Sequence, residues 1–348
     1  MRKLYIDNLR WSIVLLLFPY HIFMIYNNFE SFYIHGIEND GLSRILGAVW
    51  PWFMPVLFVI AGISSAYALQ KRSGSEYLKE RILKLLVPLI FGILLLVPIQ
   101  SYMAELFHNG KGNYWNYFTQ ISDLTGYAGG FTPGHLWFIL YLFVVSLLAL
   151  PIMLNNKINI KTLRVQELSV PYLLLLFLIP LFMQVVLDIK GKSVGEYFAF
   201  FMLGYYILSQ EGIHAKLDRY RLFLFGTFLL GFLFMFLYGE ALYGINQYLY
   251  EVTVEFYAWV AVLALIGMSR HYLDFQNNIT RYLSKSSFGI YLFHQSWIVC
   301  VAYYTFNISQ NTGIQILLIM LGSIPLTFFT YELCKRIRIL RFIFGLNK

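Results

Sequence analysis

Apolar segments long enough to cross a lipid bilayer recur from one end of this chain to the other, and no other feature narrows its fold so far. Bounded by charges and turn-forming residues, ten such segments lie near 11–27, 49–69, 82–102, 136–154, 171–187, 195–209, 222–238, 252–269, 287–306 and 313–333. A hydrocarbon core about 30 Å thick is crossed by about 20 helical residues at a 1.5 Å rise, so the shorter segments need only slight extension at their ends. Irregular backbone cannot face lipid, where its N–H and C=O groups find no partner. The expected fold is therefore all-α: a polytopic membrane helical bundle of about ten transmembrane helices, one integral membrane domain over 1–348. Composition agrees, since only 13% of the 348 residues are charged, against about a quarter in soluble chains. The first segment has the basic start of a secretory signal (Arg2, Lys3) but no small-residue cleavage site, and reads as a retained first helix.

Charge gives an orientation. With the N-terminus placed in the cytoplasm, 22 of the 26 Lys and Arg residues fall inside, and Arg44, Lys111, Lys190 and Lys192 fall outside. Both termini are thus expected in the cytoplasm. The net charge of +8 then sits on loops and a C-terminal tail beside an anionic leaflet, so the lipid bilayer is the expected partner and no nucleic acid is. The two cysteines, Cys300 and Cys334, make neither a disulfide framework nor a metal spacing, and no metal is expected.

Ionisable residues inside such segments are expensive and mark polar cavities or partners. His21 lies midway along the first segment and His294 within the ninth; Arg81 and Lys84 open the third. Arg10 precedes His21 by eleven residues, about 16 Å along a helix and about 20° from three whole turns, so the two share a face. Asp7 stands one turn before Arg10 and can pair with it. This puts cations at the cytoplasmic mouth and imidazoles deeper in. Guanidinium and ammonium groups bind phosphates, and a deep histidine serves as general base or nucleophile. A long ligand, phosphorylated at one end and reactive at the other, suits that layout, and acyl-CoA has this shape.

The same residues resemble acyltransferase family 3. Arg10, ten residues, then His21 is similar to that family's Arg-x10-His signature. ERILKLLVP resembles its second, Arg-x-x-Arg signature, with Lys84 in place of the second arginine. GHLWFILYLF and SFGIYLFHQ are also similar to family segments, and the resemblance covers essentially the whole chain. It implies O-acyl transfer across a bacterial inner membrane, with His21 catalytic and Arg10, Arg81 and Lys84 holding the acyl-CoA, either acetyl-CoA or succinyl-CoA. His294 would be a second proton-handling group. The acceptor would be an extracytoplasmic glycan or glycolipid, supplied by separate glycan-synthesis proteins. On the outer side, His135 and the neighbouring Trp137 are expected to bind it together with Glu255, and Glu105, Asp123 and Glu251 could also bond sugar hydroxyls. The rival reading is a proton-coupled transporter or polysaccharide exporter of the same membrane, which would also line a path with His and Arg.

Overall fold

The computed structural model describes residues 3–121, 127, 129–155, 167–189 and 191–346. Asp123 lies outside these residues, as do Arg2, Lys157, Lys161, Arg164, Lys190 and Lys348 of the charge asymmetry. The first half runs α1 (Leu4–Leu15), α2 (Leu17–Met24), α3 (Asp40–Leu69), α4 (Gly74–Arg81), a wide π turn (Ile82–Leu86), α5 (Val87–Leu95), α6 (Val97–Asn109) and the short α7 (Asn116–Thr119). A tight 3-10 turn (Gly134–Leu136) then leads into α8 (Trp137–Met153). There follow α9 (Val170–Leu175), α10 (Leu178–Met183), α11 (Val194–Tyr206), α12 (Glu211–Arg219) and α13 (Arg221–Ile245). The chain closes with α14 (Gln247–Tyr272), α15 (Asn278–Thr305), α16 (Thr312–Arg336) and α17 (Arg338–Ile343). One isolated bridge, Asp188 with Ser193, is the only β pairing among the described residues. Each of the ten expected segments is helical, and the all-α expectation holds.

Six helical stretches among the described residues are long and apolar enough to cross a membrane: α3, the run Gly74–Asn109, Gly134–Met153, α13, α14 and α16. The other four expected segments are shorter, broken or more polar. Proline accounts for the breaks, because its ring removes an N–H and crowds the carbonyl four residues back. Pro19 stands four residues after Leu15, where α1 ends. Pro88 stands four after Lys84, inside the π turn, and Pro98 four after Leu94, where α5 gives way to α6. Pro180 stands four after Leu176, between α9 and α10. Pro51, Pro55, Pro151 and Pro325, by contrast, lie inside unbroken helices. Polar caps set other ends: Ser193, Asn246 and Asn311 each accept the backbone N–H three residues on.

The chain divides into two compact units. One comprises the residues up to Arg10, 47–81 and 141–280; the other comprises 11–46, 82–140 and 281 onward. In the first unit, α3 and α11 meet backbone to backbone. A Cβ on Gly62 would stand 2.0 Å from the Phe201 carbonyl oxygen, and one on Gly204 would stand 2.4 Å from that of Val59. Close approach of this kind is how helices associate where lipid removes the hydrophobic drive between them. On α13 only 22% of the apolar window is buried, with Leu229, Leu230, Leu233, Phe234 and Leu237 exposed. A face of that composition is at home against acyl chains rather than water. In the second unit, α2, α6, the 3-10 turn and α15 carry the residues around His21.

Candidate active site

The second unit gathers three histidines. The rings of His21 on α2 and His294 on α15 have centroids 5.2 Å apart, inclined at 41°. The ring of His135, from the 3-10 turn, lies 5.3 Å from His294 and perpendicular to it. Gly134 holds φ at +54°, a left-handed value that glycine adopts without strain, and this sets the turn from which His135 projects. The break ahead of Pro19 sets α2, and so His21, apart from α1. Phe32 stacks on His21 at 6.1 Å and 17°, Tyr20 meets it edge-on at 5.3 Å, and Phe18 packs against His294 at 5.8 Å. Behind Phe32 stand Tyr33 and Tyr127, the latter 6.0 Å from it.

Hydrogen bonds distinguish the three rings. The His294 Nδ1–H donates to the Tyr291 carbonyl at 2.7 Å, which leaves Nε2 as a lone pair, and that atom is buried without a partner. His21 Nδ1 is likewise buried and unpartnered. His135 differs, because Nε2 bonds the Leu292 carbonyl at 3.0 Å and Nδ1 meets the Gln100 amide nitrogen at 3.3 Å. The same Gln100 nitrogen donates to Ser296 Oγ at 2.9 Å, and Ser296 donates onward to the Leu96 carbonyl at 3.2 Å. The Tyr291 hydroxyl donates to the His135 carbonyl. Buried polar groups are almost always paired, and those that are not call for an explanation, a catalytic one included. Two neighbouring imidazoles, each with a buried nitrogen uncommitted, can exchange a proton with a substrate.

In the first unit two guanidinium groups converge on one end of α3. Arg10 donates through Nη2 to Ser64 Oγ at 2.9 Å and through Nη1 to Asp7 at 3.1 Å. Arg81 donates through Nη2 to Ser65 Oγ at 3.0 Å and lies 4.5 Å over the Tyr77 ring, with its Nε unpartnered. The Tyr77 hydroxyl shares a 2.9 Å hydrogen bond with Ser65. Lys84 belongs to the second unit, where its Nζ donates to the Gly345 carbonyl at 3.1 Å.

A second charged cluster in the first unit surrounds α12, lining a cavity of about 480 Å³ with Lys3, Tyr5, Glu211, Asp218, Arg270, His271 and Asp274. Glu211 pairs with Lys3 and, at 2.6 Å, with Arg270. Asp218 pairs with Arg221 and His271, each at 3.1 Å. Burial works against ionisation of Glu211, but hydrogen bonds from Lys3 and Arg270 outweigh it and hold its carboxyl below the ordinary range. His214 is buried and bonded at both ring nitrogens, to the Tyr5 hydroxyl and the Leu208 carbonyl, and burial lowers its pKa to about 4.

Of the residues singled out in the sequence, His21, His294 and His135 come together in one unit, and Arg10 and Arg81 in the other. The Asp7–Arg10 pair is present. Trp137 begins α8, two residues after His135. Glu255 lies on α14 of the first unit, 4% exposed with one carboxylate oxygen unpartnered, so it is not in the unit that holds His135 and Trp137. Ser64, Ser65, Tyr77, Phe32 and Gln100 were not singled out. Gln100 carried the one readable signal, a long polar amide inside an apolar segment, whereas serine and aromatic residues are ordinary there.

The profile of the acyltransferase domain family matches residues 3–332, nearly the whole chain. This protein belongs to that family: it is an acyltransferase, and with its run of apolar helices a multi-pass membrane protein. Among named relatives it is similar to the glucans biosynthesis protein C of Escherichia coli O1:K1 and of Escherichia coli strain K12. Each is 24% identical over 372 aligned positions, which cover 99% of this chain and 94% of the relative. No solved structure matches.

Proposed function

We propose that this protein is a transmembrane O-acyltransferase, moving an acetyl or succinyl group from cytoplasmic acyl-CoA to a hydroxyl of an extracytoplasmic glycan or glycolipid. The observation that carries this reading is the pairing of His21 and His294, ring beside ring, with a buried nitrogen of each uncommitted. In the direct route His21 takes the proton of the acceptor hydroxyl as the oxygen bonds to the thioester carbonyl carbon. The C–S bond then breaks, and CoA departs as a thiolate that takes up a proton. In the two-step route the His21 nitrogen attacks first, and the acceptor oxygen resolves the acyl-imidazole. His294 accepts or returns the proton in either case. Arg10 and Arg81 hold the CoA phosphates; the convergence of both arginines on adjacent serines of α3 supports a shared anion site. Trp137, beside the histidine centre, binds the acceptor. The names of the relatives favour a glucan as that acceptor, made by separate proteins. Ten crossings with both termini in the cytoplasm of the inner membrane complete the proposal, supported by the charge asymmetry.

Release of free CoA thiol by the purified protein in lipid nanodiscs tests it. Acetyl-CoA and succinyl-CoA are supplied with a β-linked gluco-oligosaccharide, to wild type and His21→Ala. Wild-type turnover lost in a variant of unchanged thermal stability supports the reading. Turnover that survives the substitution removes His21 from the chemistry, and a protein that neither turns over nor binds CoA overturns the donor.

A further inference from the structure

His135 reads from sequence as an acceptor ligand, but its hydrogen bonds leave it no nitrogen for one. The Leu292 carbonyl can only accept, so the His135 Nε2 facing it carries the ring proton. In the neutral ring Nδ1 is then a lone pair, and it needs a donor. Gln100 provides one, and its orientation is fixed independently. Ser296 spends its single hydroxyl proton on the Leu96 carbonyl, so towards Gln100 it can only accept. The Gln100 amide nitrogen must therefore point at Ser296, and its second hydrogen reaches His135 Nδ1. Two backbone carbonyls, Leu292 and Leu96, thus dictate every proton in the chain of bonds. All three side chains are buried: Gln100 is fully so, His135 is 5% exposed and Ser296 is 7% exposed.

The tethers grip one turn of α15 at both ends. His135 holds the Leu292 carbonyl and Gln100 holds Ser296; His294 lies between them. The Tyr291 hydroxyl returns a bond to the His135 backbone, and the Tyr291 carbonyl fixes the tautomer of His294. We infer that His135 is a positioning residue, locked by Gln100 as its Nε2–H tautomer and clamping the Leu292–Ser296 turn so that the His294 lone pair stays beside His21. The inference rests on the acyl-transfer reading for its kinetic consequences, and on the hydrogen bonds alone for the tautomer.

The test has two arms. Nitrogen-15 histidine spectra of the full-length protein in nanodiscs at pH 7, compared with His135→Gln, identify the His135 signal by difference. A neutral ring protonated at Nε2 is expected; a ring protonated at Nδ1, or a cation, overturns the inference. In the kinetic arm, His135→Ala and Gln100→Ala each lower kcat for CoA release at least tenfold. The KM for the gluco-oligosaccharide stays within twofold, and the double variant is no worse than the weaker single one. His135→Gln, whose amide N–H reaches the same carbonyl but never titrates, recovers at least tenfold over His135→Ala. A rise in acceptor KM at constant kcat would make His135 an acceptor ligand after all. Wild-type kcat in His135→Ala, or a glutamine variant as slow as the alanine one, overturns the clamp. Should His135→Ala fail to fold, the spectra, Gln100→Ala and His135→Gln against wild type still decide. His21→Ala runs in parallel: if it keeps turnover, the acyl-transfer role of His21 falls while the tautomer result stands.

Discussion

The cluster around α12 and the histidine centre of the other unit handle buried imidazoles in opposite ways. His214 is held between a tyrosine hydroxyl and a carbonyl, in a neighbourhood rich in ion pairs: Lys3 and Arg270 with Glu211, and Arg221 with Asp218. His21 and His294 stand among aromatic rings, each with a buried nitrogen that has no hydrogen-bond partner. His135 sits beside that pair but is built like His214, with a carbonyl on Nε2 and a donor on Nδ1. Proximity to a site is thus a poor guide to a histidine's role. What sets His21 and His294 apart is a buried ring nitrogen left without a hydrogen-bond partner.

That contrast can be broken most sharply at His21. Its replacement by alanine is expected to lower turnover by a factor on the order of 10²–10⁴, the usual range for a general base, with no shift in thermal midpoint; CoA thiol release and a melt read the two together. The opposite behaviour is expected of His214. The folded protein keeps it neutral down to about pH 4, whereas the unfolded chain protonates near 6.5. The stability this histidine secures is therefore complete above pH 6.5 and lost as the pH falls towards 4, by roughly 3 kcal/mol. Melts across that interval should show His214→Gln losing less stability than wild type; parallel curves would dismiss the assignment. A smaller effect is expected at the anion site, where Arg81→Ala should raise the KM for acyl-CoA by about tenfold, one charge-assisted hydrogen bond's worth, and leave kcat nearly unchanged. Smallest of all is Glu211→Gln. Its ion pairs are half-exposed, so the melt should fall by only about 1–3 °C, with turnover untouched. A large loss of turnover there would join the two regions functionally and undo the comparison.

The pair of histidines was legible in the sequence because ionisable groups are rare in apolar segments: His21 and His294 stand out against LLLFPY and IYLF. Arg10 and Arg81 were legible by spacing. The groups that orient them were not. Ser64, Ser65 and Ser296 are small residues that any membrane helix tolerates, and nothing in a linear string says which way a hydroxyl points. His135 was visible as a histidine and expected on the acceptor, because its Gln100 and Leu292 partners come from elements far away in sequence. The helices were readable as segments and their breaks only in part. Pro19 and Pro88 mark interruptions, but Pro51 and Pro55 lie in an unbroken α3, so the tertiary setting decides which prolines interrupt. Glu255, at the outer end of its helix by sequence, folds into the unit without the three histidines.

The contact of α3 with α11 governs how such a chain tolerates change. At Gly62 the smallest side chain would need roughly an ångström more room than the Phe201 carbonyl leaves, and a packed interior resists that. On the outer face of α13 one apolar side chain replaces another freely, since lipid conforms to whatever it meets. Substitutions should therefore be felt unevenly along the chain: one apolar residue for another is absorbed on the exposed face of α13, while at Gly62 even a methyl group has nowhere to go.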